Sequence, residues 1–204
     1  NQKQFNKSII IGGDITILKE RMAIASTKGM NDWDESTVLT ANITSMIEME
    51  KVKGTGWNTS THISCFSPEE AGRESAESAI RTRGGDRISS GTYDVIFGKQ
   101  PVTDLFANIV IPALSLSSIN TSDTPFLGKL GQKISSELLT VYDDGTIKGA
   151  IGSKKISCEG IPTGRTDLIH GGFLVGFLAN NYIKKKWNNK IASFVPRNGF
   201  RFEK

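Results

Sequence analysis

Cysteine is scarce in this sequence. Two residues, Cys65 and Cys158, among 204 cannot build a disulfide framework, and they suit a reducing compartment, so a cytoplasmic protein is expected. Long apolar runs are missing too. None approaches the roughly 20 residues that a helix needs to cross a bilayer. The first residues, Asn1 to Phe5, are polar and hold no signal-peptide core, and the absence of an initiator Met points to processing or truncation. Charge of one sign is not concentrated: 25 basic residues face 21 acidic ones, for a net charge of +4. A nucleic-acid binder usually gathers Lys and Arg into a stripe, and here the signs are interspersed over most of the length.

What is present suffices for a core. The hydrophobic content is 37%, and a chain of this length buries roughly 70% of its unfolded surface. The first third is rich in β-branched residues, with strands expected at 8–11, 15–25 and 37–49 and turn chemistry at Thr27-Lys28-Gly29 and Asn31-Asp32. Gly12-Gly13-Asp14 reads as a turn or bulge, since no helix follows it to bind phosphate. The Gly- and Thr-rich residues 54–61 read as a link. Ser67-Pro68-Glu69-Glu70 is a helix start: Ser67 can cap, Pro68 fits the first position, and the acids favour the positive end of the dipole. Ala71, Ser75, Ser78 and Ala79 give that helix a small-residue face, and Gly84-Gly85 ends it near residue 83. A strand at 92–97 follows, with a domain boundary at about residue 88.

The second part opens on the nearly all-apolar residues 101–116, read as a buried helix kinked or restarted at Pro112. Residues 138–142 read as a strand ending in the turn Asp143-Asp144-Gly145-Thr146. Residues 160–182 read as a β-hairpin. Runs at 163–169 and 173–179 flank His170-Gly171-Gly172, whose glycines can take positive φ, and Pro162 marks the strand start. The basic residues 184–190 read as a polar tail-off, a solvated strand end in preference to a nucleic-acid contact. Residues 196–202 look like the beginning of another strand. The fold class expected is α+β: a partial N-terminal sheet with one helix (residues 1–88), then a mostly antiparallel β domain around a buried helix (residues 89–204).

Several side chains invite chemical readings. His62 and Cys65, joined by Cys158 and Glu159, would make a zinc site only if all four converged, and nothing in their spacing demands it. A partly exposed His and a buried thiol are the simpler expectation. A Cys65–His170 dyad is disfavoured by the place of His170 at a hairpin tip. Asp143 and Asp144 look like paired carboxylates but match ordinary turn chemistry. Arg165 shares a strand face with Thr163 and Asp167. It can pair with Asp167 or bind a peptide carboxylate or carbonyl.

The stretch from Glu159 to Leu174 resembles the Glu-Gly-x-Pro-Thr-x-Arg-Thr-x-Leu-Ile-x-x-Gly-x-Leu element of the TldD/PmbA family, also known by the "modulator of DNA gyrase" name. Residues 68–76, 90–97 and 127–146 resemble further parts of the same family, in order. The resemblance implies a two-subunit peptidase acting on unfolded or extended peptides. Its metal-bearing subunit carries His-Glu-x-x-x-His on a helix, a spacing that lets two imidazoles hold one zinc beside the glutamate, with a cysteine ligand near the C-terminus. The corresponding helix here, within residues 101–118, has no His and no Glu, and Asp104 is its one ionisable side chain. The chain therefore resembles the PmbA/TldE-type subunits, which complete a partner's peptide chamber. No cofactor is expected in this chain, and zinc is expected in a homologous metal-bearing partner. Peptide is the implied substrate, self-association is left open, and neither nucleic acid nor membrane is expected. Thr163, Arg165 and Thr166 are the implied peptide or partner contacts. The other reading is a protein- or nucleic-acid-binding module without proteolysis. Family members are considerably longer, so a fragment or a short form is expected.

Overall fold

The structure, a computed structural model, describes residues 9–121 and 123–191. The expected strand at 196–202 lies outside them. The chain divides into two compact units. The first holds residues 1–21, 35–96 and 149–151; the second holds 22–34, 97–148 and 152–204.

The first unit holds most of a three-stranded sheet, β1 (Ile9–Ala25), β2 (Asn31–Ile47) and β3 (Val52–Ser60), in that order, with helix α1 (Pro68–Arg81); the end of β1 and the start of β2 fall in the second unit. Asn31 and Asp32, expected in a turn, already belong to β2. Alternation along β2 buries Leu39, Ala41, Ser45 and Ile47, residues at even spacing that share one face of a pleated strand. The expected link at 54–61 is instead most of β3, paired antiparallel to β2 with Ile43 opposite Gly56 and Ser45 opposite Gly54. Its glycines explain the misreading, because they are there for contact rather than for turning. A Cβ on Gly54 would lie 2.3 Å from the Ser75 carbonyl oxygen, and one on Gly56 would lie 1.9 Å from that of Ala71. The small face of α1, with Ala71, Ser75 and Ala79 buried, thus rests directly on strand backbone. The Ser45 and Ser75 hydroxyls, both buried, meet at 2.7 Å, and Ser75 also donates to the Gly72 carbonyl at 2.9 Å. Gly12 and Gly13 sit within continuous β1 rather than at a turn, and a Cβ on Gly13 would lie 2.2 Å from the Asn42 carbonyl oxygen. The Ser67 side chain does not cap α1; it donates to the Glu69 carboxylate at 2.9 Å.

Residues 92–97 form no strand among the described residues. Val95, Ile96 and Phe97 have strand propensity but stand 64%, 98% and 55% exposed, because a strand requires a ladder partner and the described residues supply none. The next helical stretch begins at α2 (Lys99–Leu105), widens into a π-turn at Phe106–Val110 and closes in α3 (Ile111–Ala113). Helix α4 (Leu116–Asn120) restarts after Ser115, whose side chain accepts from the Ser117 N–H. Burial along this run begins at its C-terminal end, with Leu114, Leu116 and Ile119 in the core, whereas Leu105 and Ile109 are exposed.

The second unit also holds an antiparallel three-stranded sheet, β4 (Val141–Asp144), β5 (Arg165–His170) and β6 (Phe173–Leu174), and helix α5 (Asn181–Ile191). Leu114, Leu116 and Ile119 pack with Leu168, Ile169, Leu174, Phe177 and Ile183 into one core. The architecture is α+β, two small antiparallel sheets with helices. Strand β4 starts three residues later than expected and includes Asp143 and Asp144. Leu138, read as strand, is 91% exposed. Strand β6 is only two residues long, since beyond it Leu178 turns to bridge Ser115. The expected tail-off at 184–190 is helical. The Glu159 carboxylate accepts the Asn181 N–H at 3.1 Å and so satisfies a free donor at the α5 N-terminus, and Ile183 anchors the helix to the core. No helix among the described residues is long and apolar enough to cross a membrane.

Candidate functional site

Strand β5 turns into β6 through Gly171 and Gly172, with φ of 54° and 82°. His170 pairs with Phe173 across this two-residue loop, the type I′ geometry that demands positive φ at both positions. Gly172 has a second constraint: a Cβ there would lie 2.6 Å from the Ser135 carbonyl oxygen. Close approach allows the 131–139 segment to bond along the hairpin, with Gly172 N–H donating to the Leu139 carbonyl at 3.0 Å and Ile134 N–H to the Gly172 carbonyl at 2.8 Å.

The register sets Tyr142 opposite Asp167, Asp143 opposite Thr166 and Asp144 opposite Arg165. Two faces follow from the pleat. Thr166 and Leu168 point inward, 1% and 0% exposed, and Asp143 shares their side. Tyr142, Asp144, Arg165 and Asp167 form the outer face. There the Arg165 guanidinium carbon lies 3.9 Å from the Tyr142 ring centroid, and its Nε donates to Asp167 Oδ1 at 2.9 Å. The neighbouring Asp167 is the main cause that raises the Arg165 pKa above its ordinary value. Asp144 Oδ1 accepts from the Thr146 N–H at 2.9 Å and from its hydroxyl at 2.6 Å. Those bonds hold its carboxyl below the ordinary value. Burial, followed by the charge of Asp144, pushes the Asp143 carboxyl up.

Of the three residues singled out from the shared element, Arg165 presents its side chain outward and Thr166 is buried. Thr163 is spent on scaffolding, its hydroxyl donating to the Lys154 carbonyl while its N–H donates to the Lys155 carbonyl at 3.1 Å. Lys155 is fixed in turn by Asp34, which accepts its N–H at 2.7 Å, and by Asp32, 2.5 Å from its Nζ. Tyr142 and Asp144 are outer-face partners that sequence reasoning passed over. The signal was the two-residue spacing of 142 with 144 beside that of 165 with 167, obscured by reading Asp143-Asp144 as a turn.

The helical stretch 99–113 carries Gln100, Asp104 and Asn108 at four-residue spacing, one face of a helix. Gln100 Nε2 donates to Asp104 Oδ1 at 3.0 Å, and Asn108 Nδ2 donates to the Asp104 carbonyl at 2.8 Å. Two carboxamides and one engaged carboxylate do not fit zinc, which is held by imidazole, thiolate and carboxylate. Among the described residues no three His, Cys, Asp or Glu side chains gather as a metal site. Cys65 and Cys158 are both exposed; the expected buried thiol is not found, because Cys65 ends an exposed 3₁₀ turn, Ile63–Cys65.

The PmbA/TldA metallopeptidase C-terminal domain family matches residues 90–201. An uncharacterised protein of Methanocaldococcus jannaschii is 25% identical over 173 residues, 85% of this chain and 40% of the relative. A metalloprotease of Methanothermobacter thermautotrophicus is 34% identical over 111 residues, 54% of this chain and 24% of the relative. Among solved structures, a candidate modulator of DNA gyrase from Thermotoga maritima aligns with a TM-score of 0.80 at 23% identity, over 85% of this chain and 41% of the other. TldE from Thermococcus kodakarensis aligns at 0.68 and 20% identity, over 86% and 40%. At these identities the structural likeness speaks to the fold. The chain spans 40% of the Methanocaldococcus jannaschii relative and 24% of the Methanothermobacter thermautotrophicus one.

Proposed function

This chain belongs to the PmbA/TldD metallopeptidase family, and we propose that it is a PmbA/TldE-like part of a two-component zinc metallopeptidase, itself without the metal site. The observation that supports this reading is that residues 101–118, which the resemblance matches to the metal-bearing helix, hold no His and no Glu. Its partner is a homologous subunit bearing His-Glu-x-x-x-His, its substrate an unfolded or extended peptide, and its compartment the cytoplasm. Residues 1–88 are the end of the family's N-terminal or central α+β domain and residues 89–204 an incomplete C-terminal domain. The family match beginning at residue 90 supports that division.

Metal analysis of the purified protein containing this chain tests the reading. Less than about one-tenth of an equivalent of zinc is expected after exposure to excess zinc and desalting, as for any site without a closed ligand set. A tightly bound equivalent would overturn the non-catalytic assignment. A binding module without proteolysis is the second reading, favoured by the gyrase-modulator name of the Thermotoga maritima structure. Salt-sensitive DNA binding that is uniform across sequences would support it.

A further inference from the structure

The outer face of the β4–β5 pair carries side chains that lie outside the hydrophobic core. Its four central side chains are one aromatic, one guanidinium and two carboxylates, and each is held in place while retaining free bonding capacity. Arg165 is pinned by the Tyr142 ring beneath its guanidinium and by Asp167 on Nε. An arginine has five N–H donors in a rigid fork, so its two terminal nitrogens stay open. Asp144 and Asp167 each spend Oδ1, and a carboxylate accepts through both oxygens. Arg165 and Asp167 stand about half and one-third exposed, and Tyr142 is 43% exposed.

Charge selects the ligand. One guanidinium beside two ionised carboxylates leaves this face with net negative character, so a ligand carboxylate or phosphate would meet repulsion and gain little. A neutral ligand offering an acceptor and donors close together matches it on both counts. The main chain of an extended peptide is such a ligand: its C=O accepts from Arg165, and flanking N–H groups donate to the free oxygens of Asp144 and Asp167. Hydrogen bonds to charged partners are stronger than neutral ones, and backbone recognition tolerates any side-chain sequence.

We propose that Tyr142, Asp144, Arg165 and Asp167 form a docking patch for the uncharged main chain of an extended peptide, with Arg165 as the carbonyl donor and Tyr142 as its platform. The patch rests on the peptidase reading above and specifies where this chain would hold the substrate.

The probe is a fluorescein-labelled, N-acetylated, C-amidated decapeptide of Thr and Ser, with a second copy N-methylated at alternate residues to remove amide donors. Anisotropy titration with the full protein is expected to show binding of the first peptide that changes little with rising salt, and at least tenfold weaker binding of the methylated one. Arg165→Gln should weaken the parent peptide about tenfold, Arg165→Lys nearly as much because the fork is lost, and Tyr142→Leu several-fold. Thermal unfolding of Arg165→Gln should stay close to wild type, which separates docking from scaffolding. Equal binding by wild type and Arg165→Gln would overturn the patch and leave the peptidase reading standing. Steep salt dependence would overturn the neutral-ligand assignment. Failure of the wild type to bind either peptide would count against the peptidase reading as well.

Discussion

Asp143 occupies the inner side of β4, opposite buried Thr166, and burial with the neighbouring Asp144 charge raises its carboxyl pKa above 3.8. A carboxyl raised in this way holds its proton more tightly folded than unfolded. Its contribution to stability is therefore unchanged below 3.8, falls as pH rises through the folded value, and is flat above it. Asp143→Asn removes the titration. The variant is expected to melt about 1–2 °C above wild type at neutral pH, with the advantage closing as pH drops to 3.8, and thermal unfolding at a series of pH values checks it. Asp144 has the opposite sign. Its carboxyl lies below the ordinary value through Thr146, so the stability it confers is present above 3.8 and lost as pH falls through the folded value. At this scale the sequence was partly legible. Pairing of Arg165 with Asp167 follows from strand alternation. The burial of Thr166 and the engagement of Thr163 do not, because they depend on which side of β5 meets the core and on the fold of residues 154–163.

Helix α1 shows how packing reaches beyond composition. Gly56 lies against the Ala71 carbonyl, where a Cβ would approach within 1.9 Å, and both partners are backbone that no rotamer change can move. Gly56→Ala is expected to cost about 3 kcal/mol, read as a lower urea midpoint by the fluorescence of neighbouring Trp57. Gly72, with nothing within 4 Å of its would-be Cβ, is the control; Ala there should be neutral or stabilising by up to about 1 kcal/mol. The start and small face of α1, the C-terminal part of β2 and the Gly171-Gly172 turn were legible because their signals are local: Pro68 in the first helical turn, periodicity and positive φ. Strand β3 was hidden, since its glycines serve a helix that comes later in the chain. Helix α5 was hidden as well, because the carboxylate at its N-terminus comes from Glu159, some twenty residues upstream. Residues 92–97 carry strand-forming side chains without a ladder partner among the described residues, so local propensity alone did not make a strand.

Across the whole chain, family membership was legible from one ordered set of motifs, and the match to residues 90–201 supports the same assignment. The functional reading depends on a substitution of chemistry within a shared scaffold. Residues 101–118 hold no His and no Glu, and on the proposed reading hydrolysis depends on a partner that supplies the metal ligands. The most direct measurement is cleavage of an unfolded polypeptide by the protein containing this chain, by a metal-bearing homologue, and by the two mixed. The account predicts no cleavage by the first alone at any zinc concentration, and a rate for the mixture at least tenfold above that of the homologue. Zinc-dependent cleavage by the first protein alone, or a mixture no faster than the homologue, would contradict it.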